Sequence, residues 1–205
     1  MTLPFNAIAT LFLSVILLAG CNRGPTPLRV PRIDAAGAAA IEQFDSDHDG
    51  ALSGAELNKV PAIKTNLKRA DTNGDGKVTP EEIDARIAAW HKSGLAVTKI
   101  FATVRQSKQP LEGALVTMVP ESFLGPNIKP ATGTTDATGM TFLTISAKPE
   151  EAGMHLGYYR IEVSKKRPDG TETIPDRYNK NTDLGAEITA EDNSAERIAL
   201  DITTK

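Results

Sequence analysis

Two segments of twelve residues, 45–56 and 71–82, repeat one pattern of oxygen-bearing side chains, and they restrict the fold more than any other feature of the sequence. Oxygen-bearing residues occupy positions 1, 3, 5, 9 and 12 of each segment, and a glycine occupies position 6. A hard cation such as calcium takes six to eight oxygen ligands, and this spacing supplies them when position 7 adds its backbone carbonyl. Each segment is therefore expected to wrap around one metal ion.

The two segments resemble the tandem loops of an EF-hand pair, and the resemblance implies two calcium sites. In the first loop the implied ligands are Asp45, Asp47, Asp49, the carbonyl of Ala51, Ser53 and Glu56. In the second loop they are Asp71, Asn73, Asp75, the carbonyl of Lys77, Thr79 and Glu82. In this family the apolar residues at position 8, here Leu52 and Val78, join the loops through a short strand pair.

The connection between the loops is short. Only 14 residues separate Glu56 from Asp71, and Pro61 divides them. Because a residue before proline disfavours helical geometry, the helix leaving the first loop is expected to end near Val60. A second helix is predicted over 62–69, and a longer one follows the second loop.

The helix ends carry capping signals. Residues 53–56 and 79–82 both fit the capping box, in which a hydroxyl and a glutamate three residues later bond each other's backbone amides. Asp34 is expected to cap the helix that enters the first loop.

The compact spacing resembles the EF-hand pairs of bacterial exported proteins more than calcium sensors. Sensors expose a methionine-rich groove when they bind calcium, and none of the four methionines lies within 34–92. We therefore expect calcium to fold or stiffen this module, with dissociation constants of roughly 10⁻⁶ to 10⁻³ M.

The N-terminus has the character of an export signal. Residues 3–20 are mostly apolar but contain polar residues, which suits a signal peptide better than a membrane span. They end in Leu-Ala-Gly-Cys at 18–21, which resembles the lipobox of bacterial lipoproteins. The resemblance implies a signal peptide over 1–20, lipidation of Cys21 and anchoring to a membrane of the cell envelope.

Two further details bear on this interpretation. Asn22 in place of aspartate favours the outer membrane as the location. The first ten residues contain neither lysine nor arginine, unlike a typical signal, so an uncleaved anchor or an ordinary secretory signal remain alternatives. Residues 21–33 are rich in proline and are predicted to form a tether.

After residue 94 the apolar pattern changes from helical spacing to alternation. Strands are predicted over 97–105, 113–119, 141–145, 158–165, 186–189 and 197–203. Such short, turn-punctuated strands favour an antiparallel β-sandwich over 95–205. Residues 109–120, 131–139 and 157–163 resemble the carboxypeptidase regulatory-like, transthyretin-like sandwich, a resemblance that implies a fold and no activity. The predicted fold class is a helical EF-hand pair, 34–94, followed by this sandwich.

The sequence carries no catalytic motif. It has no Gly-x-Ser-x-Gly and no His-Glu-x-x-His, and its single cysteine belongs to the lipobox. We therefore expect no enzyme activity and no small-molecule substrate. A net charge of −3 and the lack of a basic patch argue against nucleic acid. Tyr158 and Tyr159 are expected to pack in the core, whereas His155 is expected to be exposed.

The predicted function is a calcium-binding, lipid-anchored, non-catalytic protein of the cell envelope. Calcium would make the EF-hand module rigid, and the sandwich would serve structure or bind a protein or glycan partner. The alternative is a calcium-responsive sensor or adhesion module, in which calcium switches partner binding.

Overall fold

The computed structural model describes residues 28–148, 152–191 and 197–203. The predicted signal peptide, the lipidation site Cys21 and the first part of the tether lie outside these residues. Among the helices that the structure does describe, none has both the length and the apolar character needed to cross a membrane.

A small helical module occupies the first part of the described chain. Its elements are α1 (Ala36–Phe44), β1 (Leu52–Ser53), a 3₁₀ turn (Glu56–Lys59), α2 (Pro61–Thr65), α3 (Leu67–Ala70), β2 (Lys77–Val78) and α4 (Pro80–Lys92). Strands β1 and β2 pair antiparallel with Leu52 opposite Val78, as the EF-hand resemblance implied.

Two of the predicted local features of this module are confirmed. The 3₁₀ turn after the first loop stops before Val60, and Pro61 opens the next helix. The capping box at α4 is complete, because Thr79 Oγ1 accepts a bond from the Glu82 amide and Glu82 Oε2 accepts one from the Thr79 amide.

Other predicted features of the module are wrong. The helix expected over 62–69 is divided at Asn66, whose side chain donates to the Ala62 carbonyl at 2.9 Å and so competes with regular helical geometry. Asp34 does not cap α1, since its carboxylate pairs with Arg32 at 2.7 Å. The capping box of the first loop is only half formed: Glu56 accepts a hydrogen bond from the Ser53 amide, but the Ser53 side chain does not cap the helix.

The remainder of the chain forms a β-rich domain, here called the β domain, of two four-stranded sheets. Its strands are β3 (Ile100–Gln106), β4 (Gln109–Pro110), β5 (Leu115–Pro120), β6 (Ala131–Thr134), β7 (Met140–Leu143), β8 (Gly157–Ser164), β9 (Gly185–Ile188) and β10 (Arg197–Ile202). In one sheet β3 lies between β10 and the pair β4 and β7; the other has the order β6-β5-β8-β9.

The predicted fold class, a helical EF-hand region followed by an antiparallel β-rich domain, is confirmed. Every strand predicted from alternation is present, with shifted ends. Strands β4 and β6 were not predicted, because Gln-Pro and Ala-Thr-Gly-Thr contain no run of alternating apolar and polar residues. One pairing also differs: β10 runs parallel to β3, with Arg197 opposite Phe101, whereas all the other strand pairs of the described chain are antiparallel.

The helical module and the β domain share one continuous apolar core. The ring of Trp90 on α4 meets Tyr158 on β8 edge to face, with 5.0 Å between centroids, and Phe44 meets Phe123 at 6.4 Å. Tyr158 and Tyr159 are fully buried, which confirms their predicted packing role.

The predicted exposure of His155 is wrong, since the residue is only 5% exposed. Its Nδ1 lies 2.8 Å from the Ala96 carbonyl, a partner distant in sequence, and burial lowers the pKa of the ring.

The backbones of α2 and β9 approach so closely that only glycine fits at Gly185. A Cβ there would lie well inside van der Waals contact of Pro61 and Ala62 backbone atoms. We expect Gly185→Ala to lower the unfolding free energy by about 1–3 kcal/mol, measured by chemical denaturation.

Gly170→Ala is the matched control for that substitution. A Cβ at Gly170 meets no atom within 4 Å, so this variant incurs only the strain of a φ of 86°. A Gly185→Ala protein as stable as the Gly170→Ala protein would contradict the close approach of α2 to β9.

The last part of the predicted tether lies on the folded body. The Pro31 carbonyl is 3.0 Å from His91 Nε2, and the Arg32 carbonyl accepts a bond from Asn127 Nδ2 at 2.9 Å. Ile33 packs against the core. Residues 31–33 are therefore part of the folded body.

Candidate metal centre

The first loop brings three carboxylates together. Asp45 ends α1, and Asp47 and Asp49 follow it in the turn. One ligand oxygen from each of these three residues lies within 4.8 Å of the other two. Such convergence of like charges is costly unless a cation joins them, and it suits a metal site.

Backbone amides hold the first of these carboxylates in place. Asp45 Oδ1 accepts a hydrogen bond from the His48 amide at 2.7 Å, and Oδ2 accepts one from the Gly50 amide at 3.0 Å. Gly50 has a φ of 86°, which explains why this position holds glycine. Because each carboxylate oxygen has two lone pairs, these bonds leave Asp45 able to bind a cation as well.

Glu56 closes the first loop by lying across its beginning. Its Oε2 accepts from the Ser53 amide at 3.0 Å, and its Oε1 accepts from the Ser46 amide at 2.5 Å. These two bonds hold the pKa of the Glu56 carboxyl below its ordinary value. The residue is 6% exposed, so an ionised carboxylate is fixed beside the aspartate cluster.

The second loop repeats this construction. Asp71 Oδ1 accepts from the Gly74 amide at 2.6 Å, and Asp71 Oδ2 accepts from the Gly76 amide at 2.8 Å. Glu82 Oε1 accepts from the Thr72 amide at 2.9 Å, as Glu56 does from Ser46.

Glu82 is the more strongly acidic of the two closing residues. Burial alone would raise its pKa, but hydrogen bonds from Thr79 and Thr72 outweigh burial and lower the pKa to about 2. The Thr79 hydroxyl donates to Glu82 Oε2 at 3.0 Å. The carboxylate therefore stays ionised near neutral pH.

The two loops differ at position 3. Asn73 in the second loop accepts from the Asp75 amide at 2.9 Å and donates through Nδ2 to Asp75 Oδ2 at 3.0 Å. The ligand positions of the second loop thus hold three carboxylates, where those of the first hold four. Since affinity for calcium rises with the number of charged ligands, the first loop has the stronger intrinsic attraction.

Lys77 offsets part of that attraction. It lies opposite Ser53 in the β1–β2 pair, and its Nζ donates to Asp49 Oδ2 at 2.7 Å. This bond, followed by one from the Ala51 amide, lowers the pKa of Asp49. The loop pattern predicts only that the Lys77 carbonyl binds metal in the second loop. Nothing in the sequence indicates that the Lys77 side chain reaches the first loop.

The donor set fits a hard divalent cation. All the side chains that the spacing selected present oxygen, and the structure places them around two amide-lined turns. The flexible, many-oxygen arrangement suits calcium better than magnesium, which demands a near-ideal octahedron. The individual ligand assignments for Asp45 to Glu56 and Asp71 to Glu82 stay predictions.

Comparison with known proteins supports the calcium-binding module. The EF hand family model matches residues 38–61 and 63–85, and each match contains one of the two loops. EF hands imply calcium binding. No curated protein sequence matches the chain.

Among solved structures, the chain is similar to BcpA, the major pilin subunit of Bacillus cereus, with 17% identity and a TM-score of 0.34. That alignment covers 53% of this chain and 30% of the pilin. A variant of the same pilin aligns with 18% identity and a TM-score of 0.32, over 52% of this chain and 29% of its own. The chain thus spans less than a third of the length of the pilin.

Proposed function

We propose that this chain is a lipid-anchored, non-catalytic protein of the bacterial cell envelope, in which two calcium ions stiffen the helical module against the β domain. The observation that carries the proposal is the pair of amide-lined carboxylate loops within the EF-hand match. Both are closed by an ionised glutamate, Glu56 or Glu82, and joined by the β1–β2 pair.

A stiffening role is favoured over a sensor role by the burial of the module's apolar side chains. Leu52, Ile63 and Ile83 are fully buried, and Trp90 packs against Tyr158 of the β domain. A sensor that opened to expose a groove would have to break this shared core. Calcium that binds only the folded state would instead add to stability by mass action.

The anchor and the location rest on the N-terminal sequence. The Leu-Ala-Gly-Cys motif at 18–21 supports lipidation of Cys21, and Asn22 supports the outer membrane. Three acyl chains would hold the protein on the membrane far more firmly than one.

The β domain is proposed to serve structure or to bind a protein or glycan partner. Its resemblance to carboxypeptidase regulatory-like sandwiches is supported by the turn at 136–139, where Asp136 Oδ1 accepts from the amides of Thr138 and Met140. No reaction is proposed for it, because the sequence has neither a Gly-x-Ser-x-Gly nor a His-Glu-x-x-His motif.

Calorimetric calcium titration of the full chain in detergent tests the proposal. We expect two sites with dissociation constants of roughly 10⁻⁶ to 10⁻³ M. The unfolding free energy should rise by about 2.7 kcal/mol per site when calcium reaches 100 times its dissociation constant. A Glu56→Gln, Glu82→Gln double variant should lose both effects.

The control is a Glu42→Gln, Glu112→Gln double variant, which removes the same charge from exposed positions outside the loops. It should bind calcium as the wild type does. No heat and no stabilisation at millimolar calcium would contradict the proposal. Calcium-dependent binding of an apolar dye would favour the sensor instead.

A further inference from the structure

One buried carboxylate of the β domain is surrounded by groups from the helical module. Glu187 lies on β9, and its side chain is fully buried. Its Oε1 accepts from Arg86 Nε at 2.9 Å, Arg86 Nη2 at 2.5 Å and Trp90 Nε1 at 3.0 Å. Its Oε2 faces Arg69 Nη1 at 3.9 Å.

The two arginines stand at the two ends of the second calcium loop. Arg69 is on α3, two residues before Asp71, which begins the loop. Arg86 is on α4, one helical turn after Glu82, which ends it. Because residues four apart share one face of a helix, Glu82, Arg86 and Trp90 form a single line along α4.

We propose that Glu187 is a positioning residue for the second calcium site, so that the β domain completes this site from outside the EF-hand module. The inference rests on the proposed calcium function. Calcium needs the first and last ligands of its loop at a set separation. Glu187 accepts hydrogen bonds from Arg86 on α4, the helix that carries Glu82, and forms a longer ion pair with Arg69 on α3, the helix that leads into Asp71.

Burial makes this attachment demanding. A buried carboxylate is tolerated only when cations and hydrogen bonds compensate it, so Arg86 and Trp90 cannot move away from Glu187 without leaving an uncompensated charge in the core. The position of α4 relative to the β domain is therefore restricted. By thermodynamic reciprocity, calcium bound in the second loop strengthens the attachment as much as the attachment strengthens calcium binding.

The first loop has no equivalent attachment among the described residues. Its entering helix meets the β domain through Phe44 on Phe123 and Gln43 on Ser122. Glu121, the other buried carboxylate at this interface, is bonded by the Ala62 amide and lies 3.6 Å from Arg160 of its own domain. Loss of Glu187 should consequently weaken the second site and spare the first.

Calorimetric titration of the full chain with calcium tests this selectivity. A Glu56→Gln background isolates the second loop, and a Glu82→Gln background isolates the first. In the Glu56→Gln background we expect Glu187→Gln to raise the dissociation constant about 5- to 20-fold, within the range usual for coupled sites. In the Glu82→Gln background the change should stay below about twofold.

Glu121→Gln is the matched control, because it replaces the other buried carboxyl of this interface, whose partners, the Ala62 amide and Arg160, lie outside α3 and α4. It should leave the second site within about twofold of its reference. Equal weakening of both loops by Glu187→Gln, or no weakening of the second, would overturn the inference. Failure of the proposed function is distinct, since no calcium would then bind in the Glu56→Gln background itself.

The Trp90 indole provides a spectroscopic signal that would not respond to calcium if Glu187 had a purely structural role. It is the one tryptophan of the chain, so its indole N–H gives a single nuclear magnetic resonance signal at the Glu187 contact. In the Glu56→Gln background this signal should shift with the calorimetric midpoint, and in the Glu82→Gln background it should not.

Should Glu187→Gln fail to fold, the Arg86→Lys variant provides a second test. It keeps the positive charge, removes the two-point hydrogen bonding to Glu187 and should weaken calcium binding at the second site about threefold. An unchanged affinity in that variant would count against the inference.

Discussion

Replacement of Trp90 by alanine is expected to lower the unfolding free energy by about 3–5 kcal/mol, the usual cost of removing a large buried aromatic side chain. The residue is 3% exposed, and its side chain packs between the backbone of α4 and the β domain. The substitution removes both the edge-to-face contact with Tyr158 and the hydrogen bond to Glu187. It therefore leaves both a cavity and a less well compensated carboxylate.

Trp90→Phe separates these two contributions. Phenylalanine keeps most of the ring contact with Tyr158 but cannot donate to Glu187, so a loss of about 1–2 kcal/mol is expected. Denaturation followed by circular dichroism at saturating calcium measures both variants without relying on the missing indole. A loss below about 1 kcal/mol for Trp90→Ala would show that the module and the β domain are not energetically joined at this point.

The stabilisation that one interfacial carboxyl, Glu121, gives the folded state is expected to fall as pH rises from about 5 to 7.5, whereas the lowered pKa of His155 acts in the opposite direction. Burial raises the pKa of Glu121 to about 7 against the opposing effect of Arg160. Between the ordinary carboxyl value of 4.5 and this value, the folded state binds more protons than the unfolded state. The shift corresponds to about 3 kcal/mol of unfolding free energy, present below pH 4.5 and lost as pH rises through 7.

Unfolding free energies measured at several pH values, with calcium saturating, test this expectation. Glu121→Gln, which cannot titrate, should lack this contribution, so its stability should fall less, or rise more, between about pH 5 and 7.5 than that of the wild type. The carboxyls of Glu82 and Glu172 have pKa values of about 2 and act below this window, where they make stability fall as pH falls. An equal slope in wild type and Glu121→Gln would contradict the assignment.

The local sequence pattern was sufficient to predict those elements whose structure depends on neighbouring residues, namely most of the strands and the two loops. Alternation located the strands because one face of each is buried, and ligand spacing located the loops because calcium coordination dictates it. Strand β6 escaped this reasoning, since Thr132 and Gly133 suit a turn as well as a strand. Its strand geometry depends on pairing with β5, which no local pattern encodes.

Long-range partners decided the features that the sequence did not predict. His155 is buried because the Ala96 carbonyl receives it, and Glu187 is buried because two arginines and an indole from the other end of the chain surround it. In the sequence, the position of Glu187 in a short strand next to Ile188 gives only a weak indication that the carboxylate is buried. The parallel pairing of β10 with β3 likewise depends on residues far apart in sequence.

That parallel pair has a consequence for how a newly made chain matures. Strand β3 is among the first segments of the β domain to be synthesised, yet one of its edges stays unpaired until residues 197–202 have been made. Contacts so distant in sequence form slowly. Chains that have not yet paired residues 197–202 would therefore carry an open strand edge, and such species are the most exposed to proteases and to wrong pairing with other chains.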